Sequence, residues 1–226
     1  MVALHVSRHE ECVCKEYVSV CQRHWLSSDR LCVMQDAEAA CNMYALAVQK
    51  LQASIQFVRG DVAPHNALGD AHVSWAEHLS DSDAMQHLHL ALDQGYQGAL
   101  HIGASCSDAL LGVGEVHSKM GKLCLRNMSN DAGLHFQESA KAYKRALQFP
   151  ETLGSFQDRG EARYNYACVL CLCKRYDEGI SVLTELQRRQ VVNVHDLTSD
   201  PDFADIRDTP PFQHLIEQAA VRSTGL

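Results

Sequence analysis

The chain has 226 residues, 46% hydrophobic and 21% charged, which is enough to bury one sizeable core or a short stack of repeats. A net charge of -8 disfavours nucleic acid as the main partner, because phosphate neutralisation needs clustered Lys and Arg, and no stretch approaches the roughly 20 apolar residues of a membrane span. Ten cysteines would suggest disulfides in a short secreted chain, but Arg8, Glu10, Glu11 and Lys15 stand where a signal peptide needs an unbroken apolar run. Reduced thiols and an intracellular, cytoplasmic location are therefore expected, or an organelle if a transit segment has been removed.

Residues 8–26 read as a helix burying Cys12, Val13, Tyr17, Val20, Cys21 and Trp25, stopped by Ser27-Ser28-Asp29. A second helix is expected over 33–58, with Ala40, Tyr44, Ala47, Val48, Leu51, Ile55 and Phe57 on its apolar positions. Gly60-Asp61 makes a turn, and Pro64 suits the first turn of a third helix over 63–79 that carries Leu68-Gly69, His72 and Trp75. Ser80 to Asp83 caps a fourth segment with Ala84, Leu88 and Ala91, which Gly95 and Gly98 are expected to kink or end near Gln94.

The fifth helix, 106–126, contains Leu111-Gly112, and the sixth, 133–149, contains Ser139, Tyr143 and Ala146, with Asn127 to Asp131 as the loop between them. The clearest hairpin spans Ala162 to Leu186. Its first half carries Tyr166, Ala167, Leu170 and Cys171 at helical spacing, its second half carries Ile180, Leu183 and Leu186, and Asp177 is placed to cap the second helix. After Gln190 the pattern changes: Asp200-Pro201-Asp202 forms a turn, and Thr209-Pro210-Pro211 opens a final helix with Phe212, Leu215 and Ile216.

In that hairpin Tyr166-Ala167 is followed by Gly179 twelve residues later, then by Leu183 and Leu186. These spacings resemble the tetratricopeptide repeat (TPR) family, a helix-turn-helix unit with small residues where its helices cross. Here Ala stands in the place of a Gly, and Leu in the places of an aromatic residue and a final Ala. The intervals Ala91 to Gly112 and Ala146 to Ala167 are both 21 residues, which supports a repeated unit. The resemblance implies an all-α, right-handed solenoid of antiparallel helix pairs, with about 3–4 repeats closed by a C-terminal capping helix. It would be a single domain over 1–226, with a divergent helix pair at 8–58, repeats at 62–103, 105–149 and 156–190, and a cap at 191–226. Phe203, Ile206, Phe212, Leu215 and Ile216 would pack that cap.

The resemblance further implies a non-catalytic scaffold, adaptor or assembly factor that holds a peptide or helix of another protein in a concave groove. By family register the groove positions are Asn66, Asp70, Val73 and Ser74, then Ala109, Val113, Val116 and His117, then Tyr164, Cys168, Cys171 and Leu172. An acidic chaperone tail is not the expected ligand, because only Asn66 and Asn165 match a carboxylate clamp and its basic residues are missing. The same lining would be self-occupied if it faces the final helix instead.

Chemistry finds little support in the motifs. Six residues separate Gly114 from Gly121-Lys122 where a phosphate loop has four, and Leu123 stands in place of its Ser or Thr. Cys168, Cys171 and Cys173, with Cys12, Cys14 and Cys21, offer the alternative of a cysteine-based zinc-binding or redox-regulatory protein. Cys168 and Cys171 lie about 60° apart on a helix and Cys173 on another side, which favours packing over a metal centre. His87 and His89 diverge on their helix, Asp83 and His87 can pair one turn apart, and the 13 histidines make the charge sensitive near pH 6. No cofactor, no metal and no catalytic residue is expected.

Overall fold

The computed structural model describes residues 37–223, apart from position 59 and positions 150–155; the helix expected over 8–26 lies outside the described residues. Among the described residues the secondary structure is entirely helical, and no helix is long and apolar enough to cross a membrane. The chain divides between Ala104 and Ser105 into two compact units.

The first unit holds α1 (Ala37–Phe57), α2 (Ala63–Ala76), α3 (Asp81–Leu90), a π turn (Ala91–Tyr96) and α4 (Gln97–Ile102). Gly60, at a φ of +87°, turns the chain after α1, and the Asp61 carboxylate then accepts from the Ala63 amide at 2.9 Å. Ser80 caps α3 by accepting from the Asp83 amide, with Asp81 and Asp83 at the positive end of the helix. Val48 and Leu51 of α1 bury themselves against Leu68 of α2, flanked by Ile55, Ala67, Ala71 and Trp75.

Of the expected kink or end near Gln94, the end is absent, and the α-helical pattern is interrupted there by a π turn. The chain stays helical from Asp81 to Ile102, through a π turn at Ala91–Tyr96. Its glycines are sites of close approach. A Cβ on Gly95 would meet the Gly69 backbone at 2.5 Å, and one on Gly69 would meet the Tyr96 ring at 2.6 Å. Gly98 likewise leaves room for the His65 ring. The tight crossing of Gly69 is thus with Gly95 and Tyr96, later in the chain than the expected Ala84-Leu88-Ala91.

The second unit contains α5 (Ser107–Arg126), α6 (Ala132–Ala146), α7 (Phe156–Leu172), α8 (Tyr176–Arg188), α9 (Val194–Ser199), a 3₁₀ turn (Pro201–Phe203) and α10 (Pro210–Ser223). Helices α5 and α6 cross where Gly114 faces the Tyr143 ring and Gly121 the Phe136 ring, and the Ser139 hydroxyl donates to the Gly114 carbonyl at 2.6 Å. The α7–α8 hairpin crosses at Gly179, where a Cβ would come within 2.6 Å of the Cys171 sulfur and 3.3 Å of the Ala167 carbonyl.

Three helices of this unit end in the same way. Met128, Lys174 and Gln190 adopt φ of 54°, 60° and 59°, and the next residue's amide reaches back in each case: Ser129 to Cys124, Arg175 to Leu170, Val191 to Leu186, at 2.8–3.0 Å. The chain after α8 then folds across α7. Phe203, Ile206, Phe212 and Leu215 form one core with Ala167, Cys168, Cys171, Leu183 and Leu186, and Ile216 packs at its edge.

Candidate functional site

The groove positions of the last helix pair lie beneath the C-terminal segment. Tyr164 stands edge-on to Phe203 with ring centroids 5.9 Å apart, and its hydroxyl donates to the Asp200 carboxylate at 2.7 Å. The Cys168 thiol points at the same carboxylate oxygen at 3.7 Å, while the other Asp200 oxygen accepts from the Asp202 amide at 2.9 Å. Asp202 pairs with the Lys122 ammonium of α5 at 2.7 Å, and Arg207 donates to the Asp200 carbonyl at 2.7 Å. Burial, reinforced by the Asp200 hydrogen bond, pushes the Tyr164 hydroxyl far above its ordinary range. Burial and then the neighbouring Asp200 charge do the same to the Cys168 thiol, and burial with Asp202 lifts Cys171 to about 12.

Cys168, Asp200 and Asp202 bring three ligand-type atoms within 4.8 Å of one another. Their surroundings match a structural clasp better than a cation centre. The Asp202 carboxylate is met by the Lys122 ammonium, and the two Asp200 carboxylate oxygens already accept from the Tyr164 hydroxyl and the Asp202 amide. Sequence reading missed this cluster: Asp200 and Asp202 read only as a turn, and nothing local links them to Lys122, which is 80 residues away.

The remaining groove positions are divided. Val73, Ala109, Val116, Cys168 and Cys171 are buried, so these five are packing positions and present no surface to a partner. A helical register places residues on a face; it does not reveal that later chain covers the face. Asn66, Asp70, Ser74, Val113, His117, Tyr164 and Leu172 are half-buried. Of these, Asp70 accepts from the Tyr96 hydroxyl at 2.6 Å, and His117 meets His135 of α6, Nδ1 to Nδ1, at 3.2 Å.

No protein-family model matches the chain, and no curated protein matches it.

In the first unit the notable constellation is aromatic. Trp75 lies between Tyr44 of α1 and His87 of α3, with ring centroids at 6.2 Å and 4.2 Å, and His72 and His87 meet at 3.0 Å. The expected pairing of Asp83 with His87 competes with Ser80, whose hydroxyl donates to Asp83 at 2.8 Å. In the second unit, exposed apolar side chains flank the α5–α6 turn: Leu125 is 54% exposed, Met128 93% and Leu134 58%.

Proposed function

We propose that this protein is a non-catalytic interaction scaffold of TPR-like helix pairs that holds a helix or extended peptide of another protein. The observation that carries the reading is the exposed apolar group Leu125, Met128 and Leu134 at one end of the α5–α6 hairpin. Scattered exposed apolar residues need no explanation, but three around one turn, one of them an adaptable Met, suit a contact surface. Within the same unit, the half-buried groove positions Val113 and His117 of α5 would extend the contacts. A non-catalytic role is favoured because the thiols of Cys168 and Cys171 are buried and protonated and the nearby carboxylates are already engaged. Photo-crosslinking from position 128 in cells, followed by mass spectrometry, tests the reading. One recurrent partner, lost in a Leu125→Glu/Leu134→Glu variant of unchanged circular dichroism, is the expected result. An identical crosslinking pattern in that variant would reject the surface.

A zinc-binding reading rests on the convergence of Cys168, Asp200 and Asp202. Metal analysis of untagged protein separates the two. Sub-stoichiometric zinc is expected, and stoichiometric zinc that disappears in Asp200→Asn would favour the alternative.

A further inference from the structure

His72 and His87 approach Nδ1 to Nδ1 at 3.0 Å across the α2–α3 hairpin. At that separation one nitrogen carries a hydrogen and the other is bare, since two lone pairs or two N–H groups would repel. His72 is only 3% exposed, and its Nε2 is also buried without a hydrogen-bond partner. A positive charge on this ring would have no water to spread into. Trp75 packs against both imidazoles, 4.2 Å from His87 and 6.5 Å from His72 between ring centroids, and Tyr44 brings α1 onto the same stack. The contact among α1, α2 and α3 is therefore built around a pair of rings that fits together with one shared hydrogen and not with two.

We propose that the His72–His87 contact is an acid-released clasp on the first helical hairpin, closed by a single shared hydrogen and opened when both rings are protonated. The groups around it set the order of events. Asp83, one turn before His87 on α3, favours a charge on His87. Just after α2, Glu77 and His78 lie towards Tyr44, whose hydroxyl is 3.5 Å from the His78 Nε2, and α1 adds Cys41 beside that tyrosine. The π turn contributes Asp93, which is exposed, and Tyr96, whose hydroxyl is committed to Asp70. The carboxylate nearest the pair thus serves His87, and the second proton must enter the buried ring. Burial, then the neighbouring His87, holds His72 down to about 4, and burial lowers His87 against the pull of Asp83. Well above pH ~6.5 both rings are neutral in the closed and the open hairpin alike. Below it the open form takes up protons that the closed form refuses, so closure weakens as the pH falls towards 4.

Side-chain NMR titration of the full chain tests this directly, because it reads the rings in the wild-type protein. His72 should titrate near 4 and His87 below the ordinary histidine value. Trp75 fluorescence, read in a Trp25→Phe background, should change over the same range. His87→Gln keeps a polar neighbour for the His72 Nδ1 but cannot take up a proton, so the fluorescence transition should move to lower pH or vanish. Titration of both rings at about 6.5 would overturn the clasp. So would an acid transition of Trp75 that is unchanged in both His87→Gln and His72→Gln.

Discussion

Gly69 lies against the ring of Tyr96, so that a methyl group at position 69 would stand 2.6 Å from the ring's Cε1 atom. The Tyr96 ring cannot swing aside freely, because its hydroxyl is held by Asp70 at 2.6 Å. Gly69→Ala should therefore cost about 1–3 kcal/mol through overpacking. Gly95→Ala should cost more, since its methyl would meet the backbone of Gly69 and not a side chain. Gly133→Ala, with nothing within 4 Å in an α6 turn, should gain a few tenths of a kcal/mol to about 1. Urea unfolding of the three variants checks the ranking, and an innocuous Gly95→Ala would show that the crossing is looser than described.

The C-terminal segment is held by polar contacts as well as by its apolar core. Tyr164→Phe keeps the ring against Phe203 and deletes only the 2.7 Å hydrogen bond to Asp200, for an expected loss of about 1–2 kcal/mol. Phe203→Ala empties a fully buried site and should cost about 3–5 kcal/mol. Lys122→Ala removes a pair whose lysine side chain is 45% exposed, so less than about 1 kcal/mol is expected, diminishing with added salt. Hydrogen exchange over residues 194–219 should rise in that same order of severity.

Thiol reactivity offers a third check. With Cys171 raised to about 12, only about one molecule in ten thousand carries its thiolate at pH 8. Cys168 is pushed higher still. Both should label with iodoacetamide far more slowly in the native protein than in guanidinium, with the native rate climbing about tenfold per pH unit. Peptide mapping that finds either among the first thiols labelled would contradict the burial.

Met128, Lys174 and Gln190 carry side chains in the left-handed region, where L-residues are disfavoured by roughly 1–2 kcal/mol and glycine is not. Lys174→Gly should therefore be neutral or stabilising by up to about 1 kcal/mol, despite its extra unfolded-chain entropy. Gly60→Ala, at a φ of +87° in open space, should be destabilising for the opposite reason. In thermal melts the midpoint should fall for Gly60→Ala and hold or rise for Lys174→Gly.

The helical character was legible from periodicity: the fifth helix was expected over 106–126 and spans Ser107–Arg126, and Thr209-Pro210-Pro211 leads into α10 where expected. The apolar residues of the C-terminal segment were read as packing residues from the resemblance to the tails that close repeat arrays, and Phe203, Ile206, Phe212 and Leu215 are buried. Gly95 and Gly98 were read only as a kink or an end, since a glycine inside a helical pattern marks either an irregularity or a close neighbour; here a π turn and close contacts with α2 coincide, and only the packing shows the second. Tyr164, Cys168 and Cys171 were placed together correctly on one face of α7, but what covers that face is encoded 32 residues or more further on. The His72–His87 contact was hidden for the same reason. Each histidine was judged against its own helix, and the pair joins two helices.

The π turn at Ala91–Tyr96 accommodates one residue more than α-helical turns would. It does so while Ala99 remains buried and Gln97 exposed. In evolutionary terms this segment is a length-tolerant joint. A relative lacking one of the exposed residues Asp93 or Gln94 could straighten the helix and keep every later side chain on its present face. A deletion in the middle of α3 would instead turn the following side chains by about 100°.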